Sequence, residues 1–418
     1  MSQYNMKNFI KIDSTNRNLL LMVAISFSAI LKSAYALTRN LFESGPDANG
    51  YIPFALGFAQ NNFFSSEIMG PPYYPSGYPF LLSLLARLSP GNWIMLSQVL
   101  QILMFSLGTY LFYLIIERYF SWQLAMLSSL MLSFSPAWAV ANGEAMYETL
   151  LLAFLIFSVF FLVAPQKESK RFSKEYLVKS GILASIAIAI HPRVIPFFLV
   201  IYSVFLLKRV RNISSIFLLS ISTATIPLIF AARNLRAKDS FTLMSSFWET
   251  LTWNPVLTGC KAMTCVANRV LASPFDFLEQ SYLNGIRFWS PHSGPLMRGT
   301  WLHNVSLQAQ LNSNGYHDLA ILISQLLSVF VFLSWVCGSV LLHKKNSMGN
   351  ALLLSLTAII WATDILVYGE SRHRLIALLF MLPAHAACML YIGKVYSKNA
   401  PPRLQTFWAQ TLKQVNKD

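Results

Sequence analysis

The ionisable residues that could do chemistry sit at the ends of apolar stretches: Asp47, Glu144, His191, Arg193, Arg233, Glu370, Arg372, His373 and Arg374. A carboxylate such as Asp47 can take the proton from an attacking hydroxyl. Guanidinium groups match phosphate oxygens bidentately and stay charged beside lipid, so the arginines suit a phosphate. Arg372 and Arg374 are the first choices for that role, with Arg233 and Arg193 behind them. Glu370 can orient one of the arginines or an acceptor. His191 is more readily structural than catalytic. The chain has no tight Asp-x-Asp or His-rich ligand cluster, so neither an obligatory metal nor another cofactor is expected.

The elements that position these residues are membrane helices. The chain has 418 residues, 55% of them hydrophobic and 12% charged, with a mean hydropathy of +0.49. That is more apolar than a soluble domain sustains. The fold class expected is an all-α polytopic membrane protein with about ten spans, near 18–38, 93–116, 122–140, 145–164, 177–191, 194–207, 213–232, 317–342, 350–368 and 375–393, each near the length a bilayer requires. Proline after His191 breaks the fifth span from the sixth. The first span is too long for a cleavable signal peptide. Residues 1–396 read as one membrane domain and 397–418 as a basic cytoplasmic tail, with no separate soluble C-terminal domain.

The 32 Lys and Arg against 17 Asp and Glu give a net charge of +15. With the N-terminus in the cytoplasm, every short connector assigned inside is basic, so the charge is mostly topological and nucleic acid is not expected as a partner. The same orientation puts all nine residues named above on the extracytoplasmic side, drawn from five connectors. Convergence of that kind points to a site at the outer membrane surface. Within the spans the ionisable residues are mainly Lys32 and Asp364, both toward the outer ends, and no internal repeat is visible. That argues against a transporter, which usually keeps such residues near mid-membrane.

The first external loop, 39–92, is longer and more patterned than a connector needs to be. From Asp47, the residues Tyr51, Phe54, Ala55 and Phe58 recur at three and four, giving a short helix with one apolar stripe suited to the interface. Asp47 equally suits the N-cap of that helix. The run Gly70-Pro-Pro-Tyr-Tyr-Pro-Ser-Gly-Tyr78-Pro79 is stiff and aromatic, and Phe80–Leu88 reads as a second juxtamembrane helix. A large external loop, 233–316, is long enough to have a function or to cover a site. Its Trp248, Trp253, Trp289 and Trp301 suit sugar faces or headgroups equally. Cys260 and Cys265, five apart on the oxidising side, are a candidate disulfide.

An Asp followed four residues on by Tyr, then a downstream Pro-x-Gly-Tyr-Pro entering an apolar helix, resembles the first external loop of the GT-C membrane glycosyltransferases. By pattern the nearest groups are the aminoarabinose transferases of lipid A and the protein O-mannosyltransferases. Three further stretches match in order: Glu144-Ala-Met-Tyr-Glu-Thr-Leu; Arg233-Asn234 opening the large loop; and Tyr368-Gly-Glu-Ser-Arg-His-Arg-Leu, with His373 where an aromatic residue is usual. The resemblance implies an inverting transfer of a sugar from a polyprenyl-phosphate donor to a hydroxyl of a lipid, glycan or protein acceptor. In it Asp47 is the base, the external arginines hold the phosphate, and Glu144, Glu370, Tyr51, Tyr78, His191 and His373 support or meet the acceptor. The membrane implied is the bacterial cytoplasmic (inner) membrane. A lipid-linked sugar flippase and an O-antigen polymerase or ligase are the competing readings.

Overall fold

The computed structural model describes residues 14–39, 41–44, 48–68, 74–163, 174–209, 213–238, 241–243, 255–257, 260, 263–289, 317–367 and 374–399. Among these it is helical, with no strand. In a bilayer, backbone groups must be satisfied within the segment, and helices meet that need.

Helix α1, Ser14–Arg39, leads into a first loop that carries α2, Leu41–Ser44, α3, Ala48–Gln60, and α4, Gly77–Leu88. The short helices expected in this loop are thus both present. Helix α5, Trp93–Tyr119, returns along α1, and Arg17 of α1 meets Glu117 of α5 at 3.5 Å. The first loop therefore lies at the end of the bundle opposite Arg17.

Next come α6, Trp122–Ser133, α7, Pro136–Gly143, and α8, Glu148–Val163. Here the expected single span at 122–140 is corrected. Pro136 has no N–H to continue the ladder of α6 and sits instead at the start of α7, the position a helix tolerates. Helix α9, Lys174–Ile190, ends where predicted; a 3-10 turn at Pro192–Val194 separates it from α10, Ile195–Arg209. Helix α11 runs from Ile213 to Lys238, six residues past the predicted end. Arg233 and Asn234 are thus inside a helix rather than after it, because Ala231 to Lys238 holds neither proline nor glycine to stop it. The large loop is also partly helical, with α12, Met263–Ala272, and α13, Pro274–Trp289. The last three are α14, His317–Lys345, α15, Ser347–Val367, and α16, Arg374–Asn399.

Among the described residues, four stretches are long and apolar enough to cross a bilayer by themselves: Thr15–Thr38, Trp93–Tyr119, Ile213–Ala237 and Leu375–Tyr396. Leu19, Val23, Phe27 and Ile30 of α1 are all more than half exposed, an arrangement that suits lipid as solvent. Helix α8 sits at the centre. It packs on α5, α7, α9 and α16, is buried along nearly its whole length, and is apolar all round, as a surrounded helix should be.

Candidate functional site

The predicted stripe of α3 is the face the helix buries: Tyr51, Phe54, Ala55 and Phe58 are all shielded. Tyr51 is the hub of an aromatic group, its ring 4.5 Å from Tyr74, 4.9 Å from Tyr78 and 6.2 Å from Tyr147. Gly50 makes this possible, because a Cβ there would run into the Tyr74 ring. Tyr147 in turn stacks on His191 at 4.4 Å with 28° between the planes. His191 Nδ1 accepts the Arg193 backbone N–H at 3.2 Å, which places a neutral ring's proton on Nε2. Offset ring contacts of this kind add about 0.5–1.5 kcal/mol each to simple burial.

Polar contacts run through the same layer. The Tyr78 hydroxyl donates to Gln101 Oε1 at 2.7 Å. Gln101 Nε2 donates to the carbonyls of Asn142 and Glu144, both at 3.0 Å, and Gln98 Nε2 to that of Gly143 at 3.0 Å. These carbonyls end α7 and would otherwise lack partners from the helix. The Ala145 N–H reaches the Phe42 carbonyl at 3.3 Å, which draws in α2. Glu144 and Glu148 are fully buried between these elements. One layer below, Lys32 of α1 is buried with its ammonium 4.0 Å from the Phe105 ring centroid.

Two arginines fasten the far end of α3. Arg87 of α4 donates from Nε to the Ala59 carbonyl at 3.1 Å, and from Nη2 to Phe58 at 2.5 Å and Asn61 at 2.7 Å. A cation on the last carbonyls of a helix satisfies them and opposes the dipole. Arg233 donates from Nε to the Phe63 carbonyl at 3.1 Å and from Nη2 to Ser65 at 3.5 Å. Its Nη1 reaches Asn234 Oδ1 at 2.8 Å, its guanidinium lies 5.0 Å over the Phe58 ring, and it is fully buried. Asn234 Nδ2 continues to the Thr242 carbonyl at 2.6 Å. Beneath them Phe54, Phe58, Ile68 and Phe230 form a small core with Phe63 and Phe80. Gly77 lets α4 approach α9: a Cβ there would overlap the Ala189 carbonyl.

The structure brings Tyr51, Tyr78, Glu144 and His191 into one layer, with Arg193 half-buried beside His191. Arg233 has its guanidinium on the loop carbonyls of Phe63 and Ser65, so in this structure it fastens the loop. Asp47, Glu370, Arg372 and His373 lie outside the described residues, as does the side chain of Arg374, which opens α16. Cys260 and Cys265 are joined by a disulfide, Cα–Cα 5.5 Å. Among the described residues, no group of three or more His, Cys, Asp or Glu is placed to hold a metal. Gln101 and Arg87 are not among the residues the sequence singles out, and Tyr147 and Glu148 enter there only within the stretch that follows Glu144. Gln98 and Gln101, three apart in an apolar span, were the available signal, as was Glu148 one turn beyond Glu144.

Residues 74–235 match the family model of dolichyl-phosphate-mannose-protein mannosyltransferase, so the resemblance to GT-C glycosyltransferases is borne out over that part of the chain, which includes α4, Gln101, Glu144, His191 and Arg233. No curated protein matches the chain. Among solved structures, the apo crystal structure of ArnT from Cupriavidus metallidurans is similar over 88% of this chain and 78% of its own, at 12% identity and a TM-score of 0.38.

Proposed function

We propose that the protein is an inverting GT-C-type glycosyltransferase of the cytoplasmic membrane. It moves a sugar, with mannose the first to test, from a polyprenyl-phosphate donor to a hydroxyl of a lipid, glycan or protein acceptor at the extracytoplasmic face. The observation that carries this reading is the family match across residues 74–235. The layer joining the first loop to Glu144 and His191 supports it, because it fixes α3, which begins one residue after Asp47 in the sequence.

In the reaction, Asp47 takes the acceptor proton as the acceptor oxygen bonds to the anomeric carbon. The bond from that carbon to the phosphate oxygen breaks, and its electron pair leaves with the polyprenyl phosphate. Arg372 and Arg374, helped by Arg193, meet the charge that develops there. Glu144, Glu370 and His373 orient the acceptor and the arginines. The tail remains in lipid throughout while the head reaches water, as a donor of this chemistry requires.

The test is Asp47→Asn in purified protein with a panel of polyprenyl-phosphate sugars, beginning with mannose. Transfer should fall by about 100-fold or more. Undiminished transfer by a folded variant would remove Asp47 as the base. Movement of the lipid-linked sugar across vesicles without transfer would replace the enzyme with a flippase.

A further inference from the structure

The Arg17 end of the bundle carries an apolar groove with about 200 Å³ of open space, between α5, α8, α10, α15 and α16. Leu155, Ile156 and Phe380 form part of its wall, and Tyr119, Phe120 and Gly349 stand where α5 ends and α15 begins. Among the described residues, no charged side chain lines it. Helix interiors normally fill such space with side chains at close to crystal density. A slot left open beside lipid is filled by something apolar.

The mouth has a different character. Asn346 Nδ2 donates to the Tyr119 carbonyl at 3.1 Å, and Gly349 N–H to Asn346 Oδ1 at 2.9 Å, so the turn from α14 to α15 is fixed against the end of α5. His343, Lys344 and Lys345, all exposed, form the last turn of α14 just before this turn, and exposed Arg118 lies just before Tyr119. The first turn of α15 has no acidic residue. Glu117, next to Arg118, is engaged by Arg17 Nη1 at 3.5 Å and by the Tyr113 hydroxyl at 2.9 Å.

We propose that this groove holds an acyl chain of an anionic glycerophospholipid, whose phosphate meets Lys344, Lys345 and Arg118. The proposal does not depend on the transfer reading. A chain leaving the bilayer for this groove exchanges one apolar surrounding for another, so burial gives little preference among lipids. Selectivity then falls to the headgroup, where each basic residue near an anionic phosphate adds attraction that salt screens.

The experiment uses the purified full-length protein and native mass spectrometry, with dioleoylphosphatidylglycerol and dioleoylphosphatidylcholine titrated separately and the copurifying lipid identified. The expected result is about tenfold tighter retention of the glycerol lipid, lost in Lys344→Ser/Lys345→Ser and weakened by salt. Leu352→Trp, which fills the groove, should lower retention of both lipids several-fold. Should Leu352→Trp fail to fold, the exposed double lysine variant still decides the headgroup claim. Equal retention of the two lipids by the wild type would overturn the proposal. So would unchanged retention by a folded Leu352→Trp, or a copurifying polyprenyl phosphate in place of a glycerophospholipid.

Discussion

At the first-loop end of the bundle, arginines are spent on backbone: Arg87 and Arg233 between them take the carbonyls of Phe58, Ala59, Asn61, Phe63 and Ser65. At the Arg17 end the described contacts include a partly exposed ion pair at 3.5 Å, the Tyr113 hydroxyl on the same carboxylate, an amide on the Tyr119 carbonyl and an open apolar groove. The first end is a lattice of directed bonds holding irregular chain in place, while the second is helix ends meeting lipid. Irregular backbone that is shielded from water persists only where its polar groups are met, and the arginines meet them here.

The comparison breaks most severely at Arg233. Arg233→Ala would leave two loop carbonyls without their donor and a cavity over Phe58, and should cost about 3 kcal/mol of stability, read from thermal unfolding in detergent. Arg233→Lys, which keeps the charge but loses the fork, should recover only part of it. Gly77→Val comes next, at about 2 kcal/mol, because the added side chain presses on the Ala189 backbone, which cannot yield as a flexible side chain would. Arg87→Ala should cost about 1 kcal/mol, since its site is more exposed and water can replace part of what it gives. Limited proteolysis should show residues 59–65 opening first in that variant. The smallest effect belongs to the opposite end: a double-mutant cycle on Arg17 and Glu117 should return less than about 1 kcal/mol, as for other partly exposed pairs. A larger coupling there would erase the contrast between the ends.

What the sequence disclosed follows from which forces are local. The stripe Tyr51, Phe54, Ala55, Phe58 and the break at His191-Pro192 are written in neighbouring residues, and both are where the pattern put them. Pro136 carries the same signal, yet it sits in a run apolar enough to read as a continuous span. The loop contacts of Arg233 could not be read from its neighbours. Its partners are carbonyls 168 and 170 residues away, and carbonyls look the same in every sequence. A cation at the end of a span therefore shows nothing in its own neighbourhood of the chain it fastens. Gln101 was hidden for a related reason: it serves the end of α7, 41 to 43 residues on.

That separation also sets an order of assembly. In a chain made from its N-terminus, α3 and α4 are finished long before α11, and Arg87 can close its bonds to residues 58–61 as soon as α4 forms. The carbonyls of Phe63 and Ser65 must wait for Arg233, some 170 residues later. Until the helix bearing it is in place, the first loop is only half fastened, and contacts this distant in sequence are late to form. The loop that would carry the reaction is thus among the last parts of the bundle to become fully native, and a chain halted before α11 would hold the residues of the first loop without their final arrangement.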